Sequence, residues 1–512
     1  MVRRILMMAA KASLAMASFA MAPFATAAMI HGIVIEQATS RPIARATVRL
    51  QTVIGGELRT LSTALTNRSG QYWFPSLEDG RYFVSAHRST YFEAQFGQKR
   101  PTGRGEPIVA NGASTTFAEI RLRKLGAITG TLVDENRVAL PETSVIAYPA
   151  KLPLVQASTA KTDDRGVFRL YGLAPGRYWV RSTAKELEDR SGLLPTYAIM
   201  STETKDAKVY QVELDADVTG VELQPLPGRL LTVRGKVAAC PQNERFIRVI
   251  LTFDSGRRET NAPCPFGPFT FEGLPPATFE VLAIPGTVTP ITVAAYEETF
   301  ADRDIDLNLQ LSSLPLLTVV LERPDMSIVP PGEITVRFRR RDAAGTGEFF
   351  APQSVLPGYY DVFFQTTGAN YVQNITLFPD RKRLMTNPLP GIAPVIHLQQ
   401  SGRGEVRIRL AARAATVEGV VKQQGQISMF APVYLHPIGA DLTRRMHGTR
   451  ATYTDSNGQF RFTGIAPGRY WIISTIDLDE ITDVTLQHAR AMELLLDESS
   501  AKQLDLSMYE VR

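Results

Sequence analysis

One short motif occurs five times along this 512-residue chain and constrains its fold more than any other feature. Each copy begins near a glycine and reaches an aromatic residue about twelve positions later. A β-branched residue follows two positions after the aromatic residue. The copies are SGQYWFPSLEDGRYFV from Ser69, RGVFRLYGLAPGRYWV from Arg165, FGPFTFEGLPPATFEV from Phe266, GEFFAPQSVLPGYYDV from Gly347 and NGQFRFTGIAPGRYWI from Asn457. Their aromatic residues are separated by 96, 101, 81 and 110 residues, so the sequence predicts five copies of one domain.

A second element, a short β-branched run, precedes each copy of the motif. Four of the runs contain a glycine, and the fourth along the chain, LTVVLE from Leu317, does not. Segments such as FAEIRLRK from Phe117 alternate apolar and polar residues, as half-buried strands do. Because turn signals recur about every 8–12 residues, the predicted fold is all-β: a tandem array of about five transthyretin-like or Ig-like β-sandwiches.

The motif itself predicts a hairpin, a second turn and a strand. Its glycine suits a hairpin position with positive φ, and Asp163 and Asp455 are expected to accept backbone hydrogen bonds there. The Asp-x-Asn-Gly turn lacks the acidic residue of a calcium loop, so turn chemistry is the stronger interpretation. The recurrent aromatic residues are assigned to the domain cores: Tyr82, Tyr178, Phe279, Tyr360 and Tyr470. A short helical insertion is predicted within Ile481 to Asp497.

The first 27 residues resemble an export signal. Arg3, Arg4 and Lys11 precede a small, apolar stretch that ends in Ala-Thr-Ala at residue 27. Without those three cations the formal charge falls from +5 to +2, which does not suggest nucleic-acid binding. Later segments are too short and too charged to span a bilayer. Together with the signal pattern, this predicts that the mature chain is exported to the periplasm, cell surface or beyond.

The predicted domain boundaries follow the repeats. After the signal peptide at 1–27, five β-sandwiches are expected, of which the fourth is degenerate. They are placed at residues 28–124, 125–228, 229–314, 315–413 and 414–512. The linkers between them are only a few residues long, and this spacing predicts a rod of consecutive domains.

The combined pattern G-x-V-x-D, then T-D-x-x-G-x-F-x-F-x-x-L-x-P-G-x-Y-x-V, resembles the carboxypeptidase regulatory-like domain. The resemblance is closest in the second repeat, with TGTLVDENRVALPETSVIAYP from Thr129 and TDDRGVFRLYGLAPGRYWV from Thr162. It implies a transthyretin-like sandwich of the kind common in exported bacterial proteins. It does not imply peptidase activity, because in that family the metal site lies on a separate catalytic domain.

No enzymatic chemistry is predicted from the motifs. The six histidines form no H-E-x-x-H or comparable pair, and neither a G-x-S-x-G nucleophile motif nor a phosphate-binding glycine loop is found. The chain is therefore expected to be non-enzymatic and to need neither a cofactor nor a metal.

The two cysteines and three tryptophans are the candidate functional residues. Cys240 and Cys264 lie in one repeat of a chain with an export pattern, which favours a disulfide over two free thiols. Trp73, Trp179 and Trp471 all lie in repeat motifs and are candidate ligand-binding residues, because an exposed indole can stack on a sugar ring. The alternative is that they pack under a loop or against a neighbouring domain.

The predicted function is recognition or spacing without bond making. One hypothesis is an adhesive or carbohydrate-binding protein whose tandem weak sites act through avidity. A second hypothesis is an assembly or accessory module for an envelope protein, and an unrecognised hydrolase is a third. The arginine clusters around residues 337–341 and 407–413 are expected to be solvated strand faces, with an acidic polysaccharide as the functional alternative.

Overall fold

The computed structural model describes most of the chain between residues 27 and 509. The residues outside the description in that range are 102, 152–153, 188–191, 239, 242–243, 254–255, 266, 287–291, 326, 328, 331, 342–347, 349, 367, 369, 380–393, 439–447 and 479–480. The predicted signal peptide, apart from Ala27, and the hairpin glycine Gly347 therefore lie outside the described residues.

Five hydrophobic clusters organise the described residues. Each of the five draws all its buried side chains from one of the five segments predicted from the repeats. We therefore propose that these segments are separate domains, and they are called domains 1 to 5 below. Their secondary structure is almost entirely β-strand, so the all-β prediction is confirmed.

The strands of the first two domains are short and numerous. Domain 1 contains β1 (Ala28–Glu36), β2 (Thr47–Ile54), β3 (Glu57–Leu65), β4 (Gln71–Leu77), β5 (Gly80–His87), β6 (Tyr91–Phe92), β7 (Ala94–Gln95), β8 (Ile108–Ala110) and β9 (Thr115–Lys124). Domain 2 contains β10 (Gly126–Leu132), β11 (Ser144–Pro149), β12 (Ser158–Lys161), β13 (Val167–Leu173), β14 (Gly176–Ser182), β15 (Lys185–Glu186), β16 (Gly192–Leu193), a 3-10 turn (Thr204–Asp206), β17 (Tyr210–Val212) and β18 (Asp217–Leu223).

The remaining domains repeat this order with small variations. Domain 3 contains β19 (Leu231–Val237), β20 (Phe246–Phe253), β21 (Gly256–Pro263), β22 (Pro268–Leu274), β23 (Ala277–Pro285), β24 (Thr292–Ala301), β25 (Ile305–Leu309) and β26 (Ser312–Ser313). Domain 4 contains β27 (Leu316–Glu322), β28 (Ile334–Arg340), β29 (Gln353–Ser354), β30 (Gly358–Thr366), β31 (Tyr371–Pro379), β32 (Val395–Leu398) and β33 (Arg403–Ala411). Domain 5 contains β34 (Ala415–Gln423), β35 (Gln426–Ile427), β36 (Pro432–Pro437), β37 (Arg450–Tyr453), β38 (Gln459–Ile465), β39 (Gly468–Thr475), α1 (Asp483–His488), β40 (Met492–Leu496) and β41 (Ala501–Tyr509).

Two groups of paired strands, called the first and the second sheet, recur in every domain, and in domain 5 a short pairing of β39 with β41 joins them. In the first sheet the domain's first strand pairs in parallel with its last long strand: β1 with β9, β10 with β18, β19 with β25, β27 with β33 and β34 with β41. The strand after the glycine hairpin lies on the other side of the first strand, antiparallel to it, as β4 does beside β1. The second sheet is built around the strand that follows the second turn of the motif. In domain 2 this strand is β14, which pairs antiparallel with β11.

The hairpin turns have the predicted chemistry. The Asp163 carboxylate accepts hydrogen bonds from the backbone N–H groups of Arg165 and Val167, at 3.0 and 2.7 Å. Asp455 accepts two equivalent bonds in domain 5. The hairpin glycine Gly166 has a φ of 72°, a value that residues with a Cβ rarely adopt. The turn interpretation of these aspartates is therefore confirmed.

The glycine of the first strand is required by a close approach of two backbones. A Cβ placed on Gly130 would lie 2.0 Å from the carbonyl oxygen of Val221 on β18 and 2.7 Å from the Phe168 ring on β13. The glycine thus lets the aromatic residue of the hairpin strand lie across the first strand. The same contact recurs in three other domains, where an added Cβ would meet the last strand's carbonyl oxygen at Gly32, Gly235 and Gly419.

The recurrent tyrosine is buried in the core, as predicted, and also closes a turn. Tyr178 is 5% exposed, and its hydroxyl donates to the carbonyl oxygen of Ala174 at 2.9 Å. Burial raises the pKa of this phenol. The same bond to the carbonyl oxygen four residues earlier is made by Tyr82, Tyr360 and Tyr470. Domain 3 has Phe279 at this position and lacks the bond.

Replacing Tyr178 by phenylalanine is expected to lower the stability of domain 2 by about 1 kcal/mol, because the Ala174 carbonyl loses its donor inside the fold. The measurement is denaturant unfolding of the full chain, with domain 2 followed through Trp179 fluorescence in a background where Trp73 and Trp471 are replaced by phenylalanine. Tyr171→Phe is the matched control, since Tyr171 lies on an exposed face of the same domain. Equal stability of the two variants would contradict the assigned role of the corner hydroxyl.

The short helical insertion predicted within Ile481 to Asp497 is present in the first half of that segment, and the second half is a strand. The helix α1 spans only Asp483–His488 and is capped by Thr482, whose side chain accepts from the Thr485 N–H. The chain then forms β40, which pairs antiparallel with β39. Leucine, methionine and glutamate favour helices locally, but the free edge of β39 offers backbone hydrogen bonds that override this preference.

The domains do not form an extended rod. Domain 1 contacts domain 5 directly, since the backbone N–H of Tyr453 donates to the carbonyl oxygen of Gly56 at 3.0 Å. The N–H of Arg104 likewise donates to the carbonyl oxygen of Ile476 at 3.0 Å. The prediction of a rod is therefore wrong: short linkers restrict neighbouring domains, but they do not prevent the array from folding back on itself.

Candidate functional site

The outer face of the first sheet of domain 1 displays three rings side by side. Residues alternate between the two faces of a strand, so Tyr72 and Phe74 of β4 point into the core while Trp73 points outward. The strand register places Trp73 opposite His31 on β1, and His31 opposite Phe117 on β9. These three residues are called the aromatic row below.

The aromatic row is open to solvent. Trp73 is 46% exposed and Phe117 is 55% exposed, while His31 between them is half-buried. The rings of His31 and Phe117 meet edge to face with centroids 5.4 Å apart. Tryptophan is usually buried for most of its surface, so a tryptophan and a phenylalanine exposed on one face form a candidate contact surface.

The corresponding positions of three other domains carry charges instead of rings. In domain 3, Arg234 and Asp306 form an ion pair, and in domain 5 Arg461 pairs with Glu418 at 3.6 Å. In domain 2 the same face holds an ion pair of Arg169 with Asp217, at 2.6 Å. The fold therefore does not require aromatic residues at these positions, because solvated ion pairs occupy the same face of the sheet in the other three domains. Among these four domains, the aromatic row occurs in domain 1.

A polar cleft of about 570 Å³ lies further along the same sheet. The outer side chains of β9 that line it are Glu119, Arg121 and Arg123, and the opposite wall comes from residues 92–101 and from Leu214 and Asp215 of domain 2. Arg121 pairs with Glu119 at 2.6 Å, and Arg123 pairs with Asp215 at 2.7 Å. From Phe117 to Arg123 the strand runs about 20 Å, so the row and the cleft form one long surface.

The loop that walls the cleft is held by its own glutamines. The Gln98 amide donates to the carbonyl oxygens of Pro101 and Gly103, at 2.6 and 2.9 Å. The side-chain oxygen of Gln95 accepts from the Gly105 N–H at 2.7 Å. These bonds fix the wall, so the shape of the cleft is largely preformed.

Trp179 and Trp471, the other two candidate residues, are covered within their own domains. Trp179 lies on the outer face of its sheet but packs edge to face on Tyr197 with centroids 6.4 Å apart. Trp471 packs against the helix α1 and its flanks, next to Leu486 and Ala489. For these two residues the structure favours the packing alternative over a sugar platform, because each ring is partly buried against side chains of its own domain. Of the three tryptophans, Trp73 is the exposed one.

The sequence singled out Trp73 without its two partners. His31 and Phe117 are distant from it in the chain and belong to no aromatic motif. The signal that could have revealed them is a comparison of the repeats, since Phe117 opens the alternating strand FAEIRLRK at a position that holds a polar residue in domains 3 and 5.

Cys240 and Cys264 are joined in a disulfide in domain 3. Both pack against the core cluster of that domain. Cys240 follows β19 and Cys264 follows β21, so the bond links the end of the first strand to the approach of the hairpin.

The arginine clusters are paired with acids. Arg340 binds Glu280 of the neighbouring domain at 2.9 Å, and Arg407 binds Glu322 at 3.1 Å. The other members have acidic partners as well: Arg337, Arg339, Arg341, Arg409 and Arg413. An acidic polysaccharide would have to compete with these carboxylates.

Within the described ranges, no group of three histidine, cysteine, aspartate or glutamate side chains is arranged to hold a metal ion. The same part of the chain contains no helix with the length and apolar character needed to cross a membrane.

A family model matches the chain within domain 1. Residues 29–109 match the carboxypeptidase regulatory-like domain, which confirms the resemblance stated from the sequence. The matched residues are those of the first repeat, whereas the sequence pattern is closest in the second. No curated protein matches the chain.

The similar solved structures include two pilins and repeat units of a collagen binding protein. A minor pilin of Streptococcus agalactiae is 14% identical with a TM-score of 0.25, over 39% of this chain and 97% of that chain. A shaft pilin of Lactobacillus rhamnosus is 9% identical with a TM-score of 0.24, over 40% and 98%. Two B repeat units of the collagen binding protein of Staphylococcus aureus are 11% identical with a TM-score of 0.15, over 75% and 99%. These scores are too low to support an argument about function.

Proposed function

The first domain of this protein is a carboxypeptidase regulatory-like domain, and from that premise we propose that the chain is an exported, non-catalytic binding protein. Domain 1 carries its binding face, and the ligand is a polysaccharide. The sugar rings stack on the aromatic row, and the polar side chains of the adjoining cleft hydrogen-bond to the hydroxyl groups.

The observation that carries this proposal is the replacement of ion pairs by rings in domain 1. Exposed apolar surface of this kind is costly in water, whereas the ion pair of Arg234 and Asp306 in domain 3 is well solvated. Trp73 and Phe117 flank His31 in the strand register, so the three rings follow one another across three neighbouring strands. Binding sites combine such apolar platforms with a few polar groups that fix orientation.

The position of the cleft supports a ligand longer than one sugar ring. Arg121 and Arg123 are each held by a carboxylate, which leaves both donors and acceptors along the surface. A balanced set of this kind suits hydroxyl groups better than a strongly charged ligand.

Export is supported by two features of different kinds. The first is the N-terminal pattern of Arg3 and Arg4, an apolar stretch and Ala-Thr-Ala. The second is the disulfide between Cys240 and Cys264, a bond that persists in oxidising compartments.

The test is binding of the mature protein to a panel of soluble and insoluble polysaccharides, measured by pull-down and calorimetry. Trp73→Ala and Phe117→Ala are each expected to weaken binding by roughly tenfold or more, because each removes a face of the aromatic row. Tyr171→Ala is the matched control, since Tyr171 is an equally exposed ring on the hairpin strand of domain 2.

The same panel separates the proposal from its alternatives. Polysaccharide binding that survives Trp73→Ala would place the site elsewhere. Stable capture of an envelope protein that is lost in the same variant, with no polysaccharide binding, would identify the row as a protein-docking face. Turnover of any substrate in a broad hydrolase panel would overturn the non-catalytic part of the proposal.

A further inference from the structure

The contact between domains 1 and 5 joins parts of the chain that lie almost 400 residues apart. The tip of the β2–β3 hairpin reaches β37, where the Tyr453 N–H donates to the carbonyl oxygen of Gly56 at 3.0 Å. The Thr452 hydroxyl also reaches that carbonyl oxygen, at 3.4 Å. The hairpin tip is therefore tied to an edge strand of the last domain through backbone atoms.

A second set of contacts lies beside the hairpin. The rings of Phe83 and Tyr453 meet with centroids 6.0 Å apart, and this contact buries Phe83, which points away from the core of domain 1. Arg104 donates its N–H to the carbonyl oxygen of Ile476 at 3.0 Å, and its side chain hydrogen-bonds to Tyr434. The hairpin tip, Phe83 and Arg104 on domain 1, with their partners on domain 5, are called the clasp below.

The clasp is packed less completely than the joint between domains 4 and 5. Cavities of about 420 and 270 Å³ flank it, and both are lined by residues of domains 1 and 5. The joint between domains 4 and 5 instead contains a buried apolar cluster that includes Tyr371, Ala414 and Ala466. Within the described residues, the hydrophobic clusters do not include one that spans domains 1 and 5.

We propose that the clasp is a releasable docking surface whose partner is the other end of the same chain, so that the array exists in a closed and an open form. Release breaks no linker, because domains 1 and 5 are connected through the other three domains. Closure within one copy is favoured over docking between copies, because the tether gives the two ends an effective concentration on the order of millimolar. Opening would let domain 1 carry its aromatic row away from the last domain.

Closure can be trapped with an engineered disulfide. A Cβ built on Gly56 lies 3.8 Å from the Cβ of Thr452, a separation that suits a disulfide. The double variant Gly56→Cys, Thr452→Cys is expected to oxidise to a monomer that migrates faster on a non-reducing gel. Gly55→Cys with Thr452→Cys is the matched control, because a Cβ on Gly55 has no heavy atom within 4 Å. Failure of the first pair to cross-link, or cross-linking only into dimers, would overturn closure within one chain.

Release is tested by small-angle X-ray scattering of the full mature chain. A side chain on Gly56 would meet the Thr452 hydroxyl at 2.4 Å, so Gly56→Val is expected to raise the radius of gyration and the maximum dimension. Gly55→Val imposes a similar positive-φ cost on the backbone without that contact and is expected to scatter like the disulfide-locked chain. If the Gly56→Val chain also scatters like the locked chain, the clasp does not open and the proposal is wrong.

Discussion

Gly130→Val is expected to destabilise domain 2 by about 3 kcal/mol, the largest effect anticipated for a single substitution in this chain. The new side chain would begin 2.0 Å from the backbone carbonyl oxygen of Val221, so β10 and β18 could not keep their parallel pairing. It would also displace the Phe168 ring, which lies across the glycine and fills the core. The measurement is thermal unfolding of the full chain, with domain 2 followed through Trp179 fluorescence in the same background without Trp73 and Trp471.

The control for this variant is Thr131→Val on the same strand. Thr131 points to the opposite face and is partly exposed, so a β-branched apolar residue there is expected to change stability by less than about 0.5 kcal/mol. If both valines had the same small effect, the close approach of the two strands would not be the reason for the recurrent glycine.

Removing the disulfide of domain 3 is the second large effect. Replacing Cys240 and Cys264 by serine is expected to lower the free energy of unfolding of this domain by about 3 kcal/mol, because the bond closes a segment with a sequence separation of 24 residues. The loss should be severe because Phe279 gives this domain no corner hydroxyl to close its second turn. The measurement is differential scanning calorimetry of the full chain, in which one transition should move to lower temperature.

Reductant provides the matched control for the cysteine variant. Wild-type protein in reductant is expected to show the same shift as the double serine variant, and the variant itself should no longer respond to reductant. Titration of the unfolded, unreduced wild type should reveal no free thiol. Two titratable thiols, or an unchanged calorimetric profile in the variant, would show that the bond does not stabilise the domain.

The repeated motif was sufficient to predict the architecture because its chemistry is local. Gly166, Asp163 and Tyr178 lie within sixteen residues of one another, and each satisfies a requirement of the same two turns. The core positions follow from alternation along the strand after the second turn, which is why the assignment of Tyr178 to the core is confirmed. Once the turns at both ends of a strand are predicted, few positions remain for the neighbouring strands.

The features that could not be predicted depend on residues far apart in the chain. Whether Trp179 is an open platform depends on Tyr197, which belongs to a segment without a repeat motif. The contact of Gly56 with Tyr453 depends on how four successive joints orient the domains, and short linkers do not encode those angles. Local helix propensity also does not determine the structure after His488, because the chain there pairs with β39, which is a tertiary interaction.

The parallel pairing of first and last strands has a mechanical consequence. In domain 1, eight residue pairs join β1 to β9, and the chain enters at the start of β1 and leaves at the end of β9. Because the two strands run in the same direction, these two points lie at opposite ends of the pair. A pulling force along the chain would therefore load the ladder in shear, with its hydrogen bonds strained together and not broken one after another. Once the clasp is open, each domain of the array would resist tension as a unit.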